Sequence, residues 1–173
     1  GTTAIAGSGA VTTINQTISA IDLTSLTDGA ITLTVTLTDA AGNTGSNATD
    51  NKTKDVVVPS GYSVVIDQSP INDANKNAIS FTFSGAETGT TYNYSFDDTD
   101  GGTTAIAGSG AVTLASQTIS GIDLTSLTDG TITLTFTLTD AAGNTGINAT
   151  DTETKDVAPP ILSIGAPSAT FAN

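Results

Sequence analysis

The chain has 173 residues, a net charge of −13 and no Cys, His, Met or Trp. The lack of His and Cys excludes the usual nucleophile–base pairs and zinc sites, and the acidity disfavours nucleic-acid phosphates and anionic lipid surfaces as partners. Without Cys, stability must come from a hydrophobic core or from bound metal.

An internal repeat organises the chain. Residues 1–55 recur at residues 102–156 with a constant offset of 101, and 46 of the 55 aligned positions are identical. A period near 100 residues is the size of an immunoglobulin-type sandwich. We therefore predict one complete repeat over 59–158. Residues 1–58 match only its C-terminal half, and 159–173 are predicted to be a linker and the first strand of a following repeat.

Apolar and polar residues alternate with a period of two, which is typical of half-buried strands. In residues 31–38 every second residue is apolar and the others are Thr. No segment keeps a helical period. We predict an all-β fold of tandem, antiparallel, immunoglobulin-like β-sandwiches with Greek-key connections. The predicted strands of the complete repeat are A near 62–67, B 78–84, C 91–97, D 103–107, E 111–122, F 131–139 and G 145–155.

The same alternation predicts the core of the complete repeat, because it places one set of side chains on the inner faces. That set is Phe81, Phe83, Tyr92, Phe96, Ile132, Leu134, Phe136 and Leu138. Prolines at 59, 159 and 160 cannot join a central ladder and mark the linkers.

The first repeat is predicted to contain strands D to G and no counterpart of residues 61–101. Its apolar face must then be covered by other strands. Either the parent polypeptide continues before Gly1 with a segment resembling 61–101, or a neighbouring molecule donates strands. Residues 161–164 are a candidate donor, and such strand donation would make a filament subunit.

The segments SVVIDQSP, TLTDAAGNTG and TKDV resemble bacterial Ig-like tandem repeats of giant calcium-dependent surface adhesins, including the extender repeats of RTX-type adhesins. The resemblance covers essentially the whole chain, and its most specific element is the twice-present TDAAGNT loop. It implies an extender that holds a binding tip away from the cell, on the cell surface or secreted, as in biofilms. It also implies neighbouring repeats as partners and structural Ca²⁺ at the domain junctions.

The predicted strand order gives a separate reason for a junction metal. Strand A should begin at the pole that carries the B–C and F–G loops, so Asp55 of the linker should meet Glu87, Asp140 and Asn144. Calcium takes six to eight oxygen ligands from carboxylates, amides, carbonyls and water. These four residues are the predicted calcium ligands.

Equivalent calcium sites are predicted toward neighbouring repeats. Asp156 would serve the following repeat, and Asp39 and Asn43 would serve a preceding linker. The alternative is that Asp-Ala-Ala-Gly-Asn is an ordinary tight turn, in which Asp and Asn cap their own backbone. Asp28-Gly29 and Asp129-Gly130 are also turn signals, and no chemistry is assigned to them.

We predict a structural spacer and no enzyme, because only a carboxylate pair could catalyse a reaction and the acidic motifs are nearly duplicated, which favours a repeated structural role. The main alternative is an adhesion module that binds carbohydrate or protein, since Ig-like sandwiches can host binding loops. A filament subunit assembled by strand donation is the third interpretation. An isopeptide bond through Lys54 or Lys155 is disfavoured, because both lie in polar segments near the linkers.

Overall fold

The computed structural model describes residues 3–99 and 102–165. The chain divides into two compact units, Gly1–Val57 and Val58–Asn173. All regular secondary structure in the described residues is β, which confirms the all-β prediction. The first unit contains β1 (Gly29–Val35) and β2 (Ala48–Lys54). The second contains β3 (Ser63–Ile66), β4 (Ile71–Asn72), β5 (Ile79–Ser84), β6 (Thr91–Asp98), β7 (Ile106–Ala111), β8 (Gln117–Ile122), β9 (Gly130–Thr139) and β10 (Ala149–Asp156).

The second unit is a two-sheet sandwich. One sheet has the order β4-β10-β9-β6-β7 and the other β3-β5-β8. The pairs are antiparallel apart from β4 with β10, which run parallel. A side chain also joins the two sheets, because the Asp151 carboxylate on β10 accepts the backbone N–H of Ile66 on β3 at 2.8 Å.

The inner faces of the two sheets form one hydrophobic core, and all eight predicted core residues are buried in it. Phe136 on β9 lies at its centre: its ring stacks on Phe83 with centroids 5.0 Å apart and also contacts Tyr62, Phe81 and Tyr92 within 6.0 Å. Burying a Phe side chain contributes about 1.5–3 kcal/mol. The aromatic cluster therefore holds the two sheets together.

Three predicted strands begin at the wrong residue, and one of them, predicted at 145–155, begins only at Ala149. The strand predicted at 103–107 lies at 106–111, and the one predicted at 111–122 begins only at Gln117. The chain leaves the sheet at Val112, which is 2% exposed and pairs with the 89–90 backbone instead. Strand β4 was not predicted, because two residues are too few to show a period.

Glycine-rich β7 is a strand because tyrosines cover its glycines. Tyr92 and Tyr94 on β6 lie directly opposite Gly110 and Gly108. A Cβ on either glycine would lie 2.6 Å from the facing ring or its hydroxyl. Glycine weakens a strand through lost packing, and the tyrosine rings occupy the space that missing side chains leave.

The first unit differs from its near-identical counterpart. Among its described residues only β1 and β2 are strands, so the predicted strands at the counterparts of β7 and β8 are absent. In the second unit β7 pairs with β6, and β8 pairs with β5. Residues 1–57 contain no counterpart of β5 or β6. A strand forms only where a neighbour satisfies its backbone groups, so the same sequence adopts irregular structure here.

Beyond β10, residues 157–165 have no regular secondary structure. The side chains of Ile161, Leu162 and Ile164, proposed above as a donor strand, are 85–96% exposed. The rest of the predicted following strand, residues 166–173, lies outside the described residues. No membrane-spanning helix occurs in residues 3–99 or 102–165.

Candidate functional site: the exit clamp and the repeated loop

The last strand of the second unit is tied to the linker that follows it. The Lys155 ammonium, 3% exposed, donates to the Leu127 carbonyl at 2.9 Å and to Oδ1 of Asp129 at 3.0 Å. The other oxygen of Asp129 accepts the backbone N–H of Val157 at 3.2 Å. We call Leu127, Asp129, Lys155 and Val157 the exit clamp of the second unit. It fixes the first linker residue to the body of the sandwich.

The first unit has the same clamp. Lys54 donates to the Leu26 carbonyl at 2.8 Å and to Oδ1 of Asp28 at 2.9 Å, while Oδ2 of Asp28 accepts the N–H of Val56 at 3.1 Å. Only one hairpin, β1–β2, and the turn before it are needed. The hairpin and this turn supply every atom of the clamp, which makes it a local property of the sequence.

The sequence assigned no chemistry to the Asp-Gly turns, and the structure gives their carboxylates a hydrogen-bonding role. The carboxylate of Asp129 joins the strand lysine to the linker amide, and the hydrogen bond from Lys155 lowers the pKa of Asp129. The same hydrogen bond from Lys54 lowers the pKa of Asp28. A signal was present in the sequence: both copies keep Asp and Lys 26 residues apart, directly before a Val-containing linker.

The linker aspartates extend this arrangement. Oδ1 of Asp55 accepts the N–H of Val57 at 3.0 Å, and Oδ1 of Asp156 accepts the N–H of Ala158 at 3.0 Å. An Asp side chain bonded to the backbone two residues on sets a local turn. The start of each linker is therefore held by hydrogen bonds at two successive backbone amides.

The repeated loop folds around its own aspartate. Oδ1 of Asp140 accepts the N–H groups of Ala142 and Asn144, both at 2.9 Å, and Oδ2 accepts the Asn144 side-chain amide at 2.8 Å. Asp39 makes the equivalent bonds with Ala41 and Asn43, at 2.8–3.0 Å. This is the geometry of the self-capped turn that was the alternative to a calcium loop.

These hydrogen bonds lower the pKa of Asp140, first through the Asn144 side chain. Because this pKa is lowered, the Asp140 carboxylate stabilises the folded state at pH values above its ordinary pKa of 3.8. That contribution is lost as the pH falls through the folded-state pKa. We expect Asn144→Ala to raise the Asp140 pKa toward its ordinary value. An NMR titration of the Asp side-chain carbonyls measures this. Asp39 is the internal control and should not change, so equal shifts at both residues would contradict the assignment.

Two of the four predicted calcium ligands, Glu87 and Asp140, lie at the same end of the second unit. Both lie in loops at the end of the sandwich where β3 begins. The loop of Glu87 is close to the start of β3, because a Cβ on Gly85 would lie 2.7 Å from the Gly61 carbonyl oxygen. The loop of Asp140 is also close to it, because the Tyr62 hydroxyl donates to the Ile147 carbonyl at 2.6 Å. The side chain of Glu87 is exposed, and the backbone carbonyl of Glu87 accepts a hydrogen bond from the Thr90 hydroxyl. This end of the sandwich carries the B–C and F–G loops, as the strand order predicts.

The loop alone does not match what Ca²⁺ requires. Three N–H groups already point at the Asp140 carboxylate, and the Asn144 side chain turns its amide nitrogen toward it. Within either unit, the described residues hold no group of three or more His, Cys, Asp or Glu placed for a metal. Since Ca²⁺ takes six to eight oxygen ligands, calcium at a domain junction stays a prediction.

Comparison with protein-family models and with curated proteins finds no match. Among solved structures, the chain is similar to one described as "Crystal structure of tetra-tandem repeat in extending region of large adhesion protein", with 22% identity and a TM-score of 0.46. The similarity covers 81% of this chain and 34% of that one, so the chain spans about a third of its length.

Proposed function

We propose that this chain is a structural spacer of an extracellular bacterial adhesin or surface filament. The observation that carries the proposal is the exit clamp, which both copies form with the same atoms and with distances that agree within 0.1 Å. A spacer transmits position from one repeat to the next, so its linkers must leave each domain in a fixed direction. A clamp on the first linker residue provides that direction.

The composition supports the same proposal. The chain carries 17 acidic residues against four lysines and no His or Cys. A large net charge keeps long, repeated sandwiches soluble and apart. The two Asp-Ala-Ala-Gly-Asn loops are closed on themselves by the hydrogen bonds of Asp39 and Asp140, as expected of structural turns. The resemblance to adhesin repeats indicates an extracellular location.

Small-angle X-ray scattering of proteins with further copies of residues 58–157 tests the spacer role. We expect the maximum dimension to grow in proportion to the number of copies, by about 30–35 Å each, the length of a ten-residue strand such as β9. Asp129→Ala in every copy removes the carboxylate of the clamp and should make this growth less than proportional.

Asp123→Ala is the matched control for that experiment. Asp123 also caps a backbone N–H, that of Thr125 at 2.9 Å, but it does not hold the linker. Its loss should leave the dimension unchanged. Growth with the square root of the number of copies in the unaltered protein, as for flexible chains, would refute the spacer role. Equal effects of the two substitutions would remove the clamp as its basis.

Calcium at the junctions forms part of the proposal and has its own test. Binding to the folded state alone must raise the melting temperature, so thermal melts in millimolar calcium should lie above melts with a chelator. The expected dissociation constant is of the order of 10⁻⁴–10⁻³ M, as in extracellular modules. Magnesium at the same concentration is the control for ionic strength. Identical melting temperatures in calcium and in chelator would contradict calcium binding. Within this proposal, the exit clamp would then be the only means of stiffening the linkers.

A further inference from the structure

The backbone that enters the second unit is held against two glycines. Residues 59–62 precede β3, and Pro59 is buried. A Cβ on Gly146 would lie 2.4 Å from the Pro59 carbonyl oxygen, and one on Gly85 would lie 2.7 Å from the Gly61 carbonyl oxygen. Only glycine leaves room for a backbone that approaches so closely. The entering segment therefore lies directly on the B–C and F–G loops.

The tyrosine at the end of this segment adds a polar tie to the F–G loop. The Tyr62 hydroxyl donates to the Ile147 carbonyl at 2.6 Å and accepts the N–H of Leu138 at 3.4 Å. We call Tyr62, Gly85 and Gly146 the entry clasp. All of its contacts are made within the second unit, so it fixes the end of the linker to the body of that sandwich.

The exit clamp of the first unit and the entry clasp of the second leave a short stretch of chain between them. On the side of the first unit, the N–H of Val57 is held by Oδ1 of Asp55 at 3.0 Å. On the side of the second unit, the clasp begins at Pro59, whose ring fixes its own φ. Peptide bonds are planar. The backbone torsions that remain between the two anchors are therefore those of Val57 and Val58.

The chemistry of these two valines restricts the remaining torsions. A β-branched side chain favours extended backbone, and a residue that precedes proline is kept out of the α region. Val58 has both properties. The side chains of Val57 and Val58 are 66% and 43% exposed. The restriction therefore comes mainly from the chain itself and less from packing.

We propose that Val57 and Val58 form the hinge between the two units, and that the entry clasp confines motion to these two residues. Tyr62 is the positioning residue of the clasp, since its hydroxyl ties the end of the linker to the F–G loop. This inference rests on the proposed spacer role and deepens it, because a spacer needs an anchor at both ends of each linker.

Double electron–electron resonance on the full 173-residue chain tests the hinge. The chain has no Cys, so Thr34→Cys and Thr152→Cys, both at exposed strand positions, place one spin label in each unit. We expect one narrow distance distribution, with a chelator present as well, because both anchors consist of protein atoms. Replacing Val57 and Val58 by Gly should broaden it at least about twofold, since glycine adopts positive φ as readily as negative φ.

Val65→Gly is the matched control for the hinge variant. Val65 is also an exposed valine, but it lies on β3, beyond the clasp, and its loss should leave the width unchanged. A broad distribution in the otherwise unaltered chain would overturn the proposal, and so would equal widths with and without the two glycines.

Tyr62→Phe tests the clasp separately, because it keeps the ring and removes only the hydroxyl. We expect a broader distribution. Tyr94→Phe is the control, since the Tyr94 hydroxyl lies over Gly108 and away from the linker. Equal effects of the two substitutions would overturn the positioning role of Tyr62. A narrow distribution here, together with less than proportional growth of the multi-copy proteins in scattering, would reject the spacer role and retain the hinge.

Discussion

Replacing Phe136 by Ala should lower the free energy of unfolding of the second unit by about 3–5 kcal/mol, as is usual for a large aromatic lost from a core. Its ring contacts Tyr62, Phe81, Phe83 and Tyr92, which come from both sheets. Removing it opens a cavity between them. Denaturant unfolding, followed by tyrosine fluorescence from the second unit, measures the change.

The repeat supplies the control for this experiment. Val35 occupies the same place in β1 but is 43% exposed, so Val35→Ala should change stability by less than about 1 kcal/mol. A small effect of Phe136→Ala would show that the aromatic cluster does not hold the sheets together.

Gly146→Ala should destabilise the second unit by about 1–3 kcal/mol, the usual cost of overpacking a fixed site. The added Cβ would lie 2.5 Å from the Tyr62 hydroxyl and would also meet the Pro59 carbonyl oxygen. That hydroxyl also donates to the Ile147 carbonyl, so it cannot move away without losing a hydrogen bond. Thermal and denaturant unfolding measure the loss.

The matched control is Gly45→Ala in the first unit. The nearest atom to its new Cβ would be the Leu37 carbonyl oxygen at 3.7 Å, which is ordinary contact. We expect a change within about 0.5 kcal/mol. If both alanines cost the same, the loss would come from the backbone of the loop and not from crowding at Tyr62.

The alternation of apolar and polar residues was sufficient to predict the all-β fold and the core of the second unit. Phe81, Phe136 and Leu138 lie inside because every second residue of a strand faces the same way. It was not sufficient for β7, whose glycines show no apolar pattern. That strand depends on Tyr92 and Tyr94 of β6, a contact between segments that no local pattern reveals.

The first unit shows the same limit more directly. Residues 5–10 and 106–111 are identical in sequence, yet only the second set is a strand. Pairing with β6 makes the difference, and pairing is a property of the assembled sheet. For the candidate site, turn chemistry correctly indicated the self-capped Asp140 loop as an alternative. The exit clamp was missed because Lys155 is buried by the fold, and lysine is seldom buried.

The parallel pairing of β4 with β10 has a mechanical consequence for a protein stretched between its ends. Tension enters the second unit ahead of β3 and leaves at the end of β10. Where the load passes through β3, it pulls the start of β4 and the end of β10 in opposite directions along their shared axis. Bonds between parallel strands loaded in this way are strained together in shear, whereas a hairpin pulled from its open end unzips bond by bond. Ile71, fully buried beside Lys155, anchors that pairing in the core, so the short strand β4 would resist the force that passes beyond β3.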